Sequence, residues 1–191
     1  MVTYYWQKHT SLIRYVWEKR GESMLIYPDF YCNNVRDVKL EFLQEHNIKG
    51  IILDVDNTLI DYYRKFEDGT IEWVNNLKKA GIKFCIVSNT NKLDKVIYVA
   101  ETLEIPYFYF AKKPFKTGFI KAKEKMGLEA ENIAAIGDQI MTDVIGSNRC
   151  KMFSILVKPI QEKDIFITRI KRPIENKIIN NYLNKIKKEK G

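Results

Sequence analysis

Two aspartates two positions apart, Asp54 and Asp56, close an otherwise apolar run that begins at Gly50. Alternate residues of an extended chain share a face, so the two carboxylates would project together. Burying such a pair is costly unless a metal or cationic group compensates. Three further polar groups follow, each after its own apolar run: Ser88-Asn89-Thr90, Lys112-Lys113-Pro114, and the stretch from Gly137-Asp138 to Thr142-Asp143. Singly, each reads as a turn or a helix cap. In series they fit phosphoryl transfer to a carboxylate. Asp54 is ionised at neutral pH and needs no base to attack phosphorus. Its approach to an anionic phosphate calls for a divalent cation, and magnesium prefers carboxylates, waters and phosphate oxygens. On this reading Asp54 and Asp138 are metal ligands and Asp143 holds metal-bound water. Asp56 protonates the leaving oxygen and then activates water, a role worth about 10²- to 10⁴-fold. The Ser88 hydroxyl, the Lys113 ammonium and backbone N–H groups after Asp54 hold the phosphoryl oxygens.

The elements that must position these groups follow from periodicity. Gly50–Asp56, Lys83–Val87, Tyr107–Ala111, Ile133–Ile136 and Met152–Val157 read as buried strands. Between them, residues 70–80, 92–103, 116–126 and 143–148 carry helical spacing, with Gly81 and Gly127 as stops. Alternating strands and helices imply right-handed crossovers and a parallel sheet covered on both faces. The polar groups then fall at strand exits, where open parallel sheets bind ligands. Residues 24–49 lead in, with turns at Pro28 and Asn33-Asn34 and a helical stretch at 37–46.

The four groups, D-x-D-x-T, S-N, K-P and G-D-x-x-x-T-D, resemble the motifs of the haloacid dehalogenase (HAD) superfamily of phosphatases over residues 50–157. Closer likeness is to its YqeG-type, class IIIA branch: Tyr27-Pro28-Asp29, Gly50, D-x-D-N-T-L, Ala111 to Pro114, G-D-Q-x-x-T-D, and T-R-x-x-R-P-x-E from Thr168 to Glu175. Lys95 departs from that pattern, standing where arginine is expected. The resemblance implies an α/β, HAD-like Rossmannoid three-layer sandwich around a central parallel sheet. It implies Asp54 and Asp56 as catalytic, with Thr58, Ser88, Asn89 and Lys113 binding the substrate phosphate. Asp54, Asp56, Asp138 and Asp143 would surround Mg2+. The branch includes relatives of the mitochondrial phosphatidylglycerophosphate phosphatase, which makes a lipid phosphomonoester an implied substrate.

Spacing adds that no cap domain fits. Only 30 positions separate Thr58 from Ser88 and 25 separate Ser88 from Lys113, and predicted elements fill most of both. A flap near residues 59–69 is what remains, so the crevice would admit bulky or surface-bound phosphomonoesters.

The 191 residues make one ordinary domain, with no apolar run near the roughly 20 residues of a membrane span. Cys32, Cys85 and Cys150 form no C-x-x-C pair, which suits a reducing, cytoplasmic setting. His9 and His46 are too few for a histidine metal cluster. Neither a cysteine phosphate loop nor a G-x-x-x-x-G-K-[ST] nucleotide loop occurs.

The net charge of +8 sits at the ends: +2 over residues 1–23, +6 over 168–191, zero between. Residues 1–23 form an extension with amphipathic helical spacing, and Met24 could begin translation. Residues 24–167 form the phosphatase domain, and 168–191 a basic amphipathic helix. That helix either packs on the body or makes peripheral contact with anionic membrane at the inner face. Its lysines are not interleaved with aromatics, which disfavours nucleic acid. The rival reading is a non-catalytic phospho-signalling or scaffold module. Receiver domains carry similar groups, but their lysine follows the acidic cluster, whereas Lys113 precedes Asp138.

Overall fold

Six parallel strands, β1 (Phe30–Cys32), β2 (Gly50–Leu53), β3 (Lys83–Val87), β4 (Tyr107–Phe108), β5 (Ile133–Gly137) and β6 (Phe153–Val157), form one sheet in the order β1-β6-β5-β2-β3-β4. The structure, a computed structural model, describes residues 25–161, 173–175 and 177–184. The N-terminal extension, Met24, residues 168–172 and the terminal lysines lie outside the described residues.

The central strands are apolar on both faces because both are covered. On one side Ile51 and Leu53 of β2, Phe84 and Ile86 of β3 and Ala134 and Ile136 of β5 share a core with three helices. These are α1 (Leu40–Glu45), α2 (Thr70–Lys79) and α3 (Leu93–Leu103). On the other, Ile52, Cys85, Val87 and Ala135 pack on α4 (Thr117–Met126) through Phe119, Ala122 and Met126. The result is the expected three-layer α/β sandwich, Rossmann-like in layout. Near β6 a π-helical turn, Ile140–Val144, runs into α5 (Ile145–Arg149). Ile140, Val144 and Leu156 there receive Ile178 and Ile179, and Tyr182 stacks on Tyr27 at 6.1 Å. The described turns of the C-terminal helix thus lie on the body, although Ile174 is exposed.

Four differences from the sequence expectation have local causes. The chain leaves the ladder after Leu53 rather than at Asp56, because Asn57 takes a left-handed backbone (φ 61°) to turn the loop. β4 stops at Phe108, not Ala111, since Phe110 and Lys112 are also left-handed. The stretch 37–46 divides into a 3-10 turn, Val35–Asp37, capped by Asn34, and α1. β1 was not anticipated. It is held to β6 by Asp29, whose Oδ2 accepts from the Ser154 N–H (2.8 Å) and hydroxyl (2.9 Å).

Candidate active site

Register decides which side chains meet. Leu53 pairs with Ile86 on one side and Ile136 on the other, so Asp54 stands level with Val87 and Gly137 and next to the exits carrying Ser88 and Asp138. The Asp54 N–H still donates to the Ile136 carbonyl (3.0 Å), which fixes the first residue beyond the strand.

Ligand oxygens of Asp54, Asp138 and Asp143, all buried, lie within 4.8 Å of one another. Lys113 joins this cluster from the neighbouring strand exit. Its Nζ donates to Asp54 Oδ1 and Asp143 Oδ1, both at 2.6 Å, with only 3% of its side chain exposed. Asp143 is fixed further by the Gln139 N–H and the Thr142 hydroxyl, both donating to Oδ2 at 3.2 Å. The approach needs Gly137: a Cβ there would lie 2.2 Å from Asp143 Cγ.

Electrostatics follow from burial. Desolvation, together with the Asp143 and Asp56 charges, pushes the Asp54 carboxyl up to about 7 despite the opposing pull of Lys113. Burial alone would pull Lys113 down, but the Asp143 and Asp54 carboxylates outweigh it and hold the ammonium charged above its ordinary value. The ammonium pairs with two of the three carboxylates, Asp54 and Asp143. All three donors are hard oxygens, so the set suits a divalent cation such as magnesium. Burial pushes the Cys32 and Cys85 thiols up to about 12 and raises Cys150 as well, which disfavours a thiolate nucleophile.

The expected residues divide into those the fold gathers and those it places differently. Asp143 sits within the carboxylate cluster itself. Thr58 is buried, and among the described residues its hydroxyl has no hydrogen-bond partner. Ser88 is buried at the adjoining exit, where its Oγ accepts from the Thr90 N–H. Asn89, expected on the phosphate, spends both ends of its carboxamide on the Lys113 backbone: Nδ2 donates to the carbonyl (3.0 Å) and Oδ1 accepts from the N–H (2.6 Å). Its place is beneath Lys113, holding the loop. Asp56, expected among the metal ligands, lies outside the three-carboxylate cluster and pairs instead with Lys95. Asp56 nonetheless stays near enough for its charge to act on Asp54.

Sequence reasoning noted Lys95 only as a departure and did not foresee this ion pair. It also missed the positioning parts of Gly137 and Gln139. Glu175 was visible only as the end of a motif. Its buried side chain accepts from the Met141 N–H (3.1 Å), bracing the turn that carries Asp143.

Among the described residues no helix is long and apolar enough to cross a membrane. Residues 59–69 form only a flap, with Ile60 bridging to Asp56 and Phe66. No cap domain lies between Thr58 and Lys113.

The profile of a hydrolase family described as haloacid dehalogenase-like hydrolase matches residues 64–150. The "Probable phosphatase YqeG" of Bacillus subtilis (strain 168) is 42% identical over 154 residues, covering 80% of this chain and 89% of the relative. Among solved structures, an uncharacterized protein from Listeria monocytogenes serotype 4b superposes with a TM-score of 0.50 at 18% identity, over 62% of this chain and 85% of that one. A cobalt-bound deoxy-D-mannose-octulosonate 8-phosphate phosphatase from Haemophilus influenzae aligns with a TM-score of 0.43 at 24% identity, over 49% and 60% of the respective chains. On a sheet of this topology, the identity to the Bacillus protein sets the signalling and scaffold readings aside: the chain belongs to the haloacid dehalogenase-like hydrolases and is a phosphatase of their YqeG type.

Proposed function

We propose that this phosphatase is a magnesium-dependent phosphomonoester hydrolase that works through an aspartyl-phosphate on Asp54. The observation that carries the reading is the Lys113 ammonium, clamped between Asp54 and Asp143 within the three-carboxylate cluster. Three carboxylates gathered within 4.8 Å offer the hard oxygen ligands that magnesium prefers. Asp54, Asp138 and Asp143 are the side chains that would hold magnesium. When bound, the ion supplies charge that lets an anionic phosphate approach an anionic nucleophile.

The chain's own residues do the rest. An Asp54 oxygen forms the new bond to phosphorus as the bond to the leaving oxygen breaks. Asp56 delivers a proton to that oxygen, and its carboxylate then takes a proton from the water that attacks the aspartyl-phosphate. Lys113, Ser88 and the Thr58 hydroxyl, which has no partner among the described residues, hold the phosphoryl oxygens. Asn89 keeps Lys113 in place. The catalytic unit is residues 24–167, and the described turns of 168–191 add a packed helix to it.

The substrate class we infer is a bulky phosphomonoester such as phosphatidylglycerophosphate. The absence of a cap between residues 58 and 113 supports it. So do the exposed Tyr62, Tyr63, Phe110 and Phe115, all on connections at the site's edge of the sheet. A peripheral contact with anionic membrane would bring such a substrate to this edge.

The test is phosphate release from p-nitrophenyl phosphate by the purified protein. It should require magnesium, vanish in Asp54→Asn, and give a trappable phosphoenzyme in Asp56→Asn. Failure to trap any covalent phosphate would remove the assigned mechanism. Comparing phosphatidylglycerophosphate in vesicles with small sugar phosphates decides the substrate class.

A further inference from the structure

Lys95 belongs to the first turn of α3, which presents Val96, Val99, Ala100 and Leu103 to the core. Local physics opposes a lysine there. The N-terminal turn of a helix carries partial positive charge and favours acidic residues. Burial adds a desolvation cost, and Lys95 is only 9% exposed. Its compensation is one carboxylate, that of Asp56, whose Oδ1 accepts from the Lys95 ammonium. Among the described residues no other side chain pairs with this carboxylate.

The adjacent residue makes a parallel contact. Asp94 pairs with Arg64 of the flap at 2.6 Å, and that guanidinium holds the Asp94 carboxyl below its ordinary range. One helical turn therefore grips the chain at Asp56 and again at Arg64, on either side of the segment containing Thr58. Buried Leu59 and Ile60 root this loop in the core, and the two ion pairs tie it to α3.

The geometry points to Lys95 as the positioning residue for Asp56: its ammonium fixes one carboxylate oxygen and leaves the other for the proton exchanged with leaving group and water. The inference rests on the acid–base role proposed above for Asp56. A carboxylate outside the metal-ligating cluster needs such an anchor, because a displacement of about 1 Å can cost as much as 10²-fold in rate. A lysine restricted to a folding role would affect all substrates alike.

The experiment compares kcat/KM on an alkyl phosphate, whose leaving oxygen needs a proton, with p-nitrophenyl phosphate, whose leaving group needs little help. Lys95→Gln and Lys95→Met should each lose about tenfold more on the alkyl substrate than on the aryl one, a share of the acid's full contribution. Lys95→Arg, which keeps charge and reach, should recover most of that loss. Combined with Asp56→Asn, Lys95→Met should add less than about threefold to the loss already caused by the aspartate variant, because paired residues are not additive. Equal losses on both substrates, or additive losses in the double variant, overturn the assignment while leaving Asp56 its role. If Asp56→Asn itself shows no alkyl-selective loss, the reading of Asp56 falls and the assignment of Lys95 falls with it. Circular dichroism and thermal melts of the Lys95→Gln and Lys95→Arg proteins separate either result from misfolding.

Discussion

At the amino edge of the sheet, five turns among the described residues return the chain from a helix to a strand, and all five are built alike. Each contains one left-handed residue: Asn47, Gly81, Glu104, Gly127 or Lys151. Each is followed by an apolar residue whose N–H reaches back five positions: Ile48 to Leu43, Ile82 to Leu77, Ile105 to Ala100, Leu128 to Lys123 and Met152 to Ser147. This is the Schellman arrangement, with its hydrophobic contact sealing the helix end. The carboxyl edge repeats nothing. One exit turns through Asn57 into a flap, the next runs on Ser88 and Asn89 into α3, the third bends at Phe110 and Lys112, and the fourth becomes a π-helical turn. A connection that only has to reverse the chain converges on one low-energy solution. Connections that must aim a carboxylate, a hydroxyl and an ammonium at one point each need a different backbone.

The contrast breaks most sharply at Asp54. Asp54→Asn should abolish turnover, a loss of about 10⁴-fold or more given that covalent catalysis goes with it. The same change should stabilise the metal-free protein. A carboxyl raised from 3.8 to about 7 in the folded state contributes stability that is full below 3.8 and is lost as pH rises through about 7. The variant lacks that dependence, so its melting temperature should exceed that of the parent by a margin that widens with rising pH. Melts in chelator across that range check it, and magnesium should raise the melting temperature of the parent more than that of the variant.

Lysines on the two edges differ next. Lys113→Met leaves Asp54 and Asp143 without their buried partner, and breaking such a pair costs about 3–5 kcal/mol. Lys83, at the amino edge, donates to the Met126 carbonyl at 2.7 Å from an exposed position. Lys83→Met should cost about 1 kcal/mol and leave activity intact, since it removes one neutral-acceptor hydrogen bond. Denaturant melts with phosphatase assays separate the two.

Glycines make the comparison finer. Gly137→Ala puts a methyl group into Asp143 and should lower kcat by about 10²-fold, the cost of moving a catalytic carboxylate by an ångström. Gly127 has open space around its Cβ position but a φ of 62°. Gly127→Ala should therefore cost about 1–2 kcal/mol of stability through backbone strain and nothing in turnover.

The same contrast explains what could be read from the chain. Strands and helices are repetitive, so periodicity placed Lys83–Val87 and came within a residue or two of α2, α3, α4 and β5. Schellman turns at Gly81 and Gly127 were visible because glycine marks the left-handed position, while Asn47, Glu104 and Lys151 gave no such mark. Motif residues were visible by type and order, which is why Asp54, Lys113, Asp138 and Asp143 could be expected to meet. Their aim was not, because it depends on left-handed residues such as Phe110 that no local preference announces. Asn89 and Asp56 could be named by type, whereas the partners they face here, the Lys113 backbone and the Lys95 ammonium, follow from the backbone path. β1 escaped because three residues carry too little pattern, and its anchor, Asp29 on Ser154, spans 125 positions.

The smallest effect tests whether left-handed strain is kept for function. Glu104 (φ 52°) and Lys112 (φ 54°) hold nearly the same unfavourable backbone on opposite edges. Glycine at either position removes roughly 1–2 kcal/mol of strain but returns about 0.4–1 kcal/mol through the freer unfolded chain. Glu104→Gly should thus raise stability by about 1 kcal/mol or less and leave kcat unchanged. Lys112→Gly should gain about as much stability yet lose roughly tenfold in kcat, because the residue that fixes the path into Lys113 becomes free to move. Equal kinetics in the two variants would mean that Asn89, by clamping both backbone groups of Lys113, suffices to aim the ammonium. Strain at Lys112 would then be a by-product of the bend, as it is at Glu104.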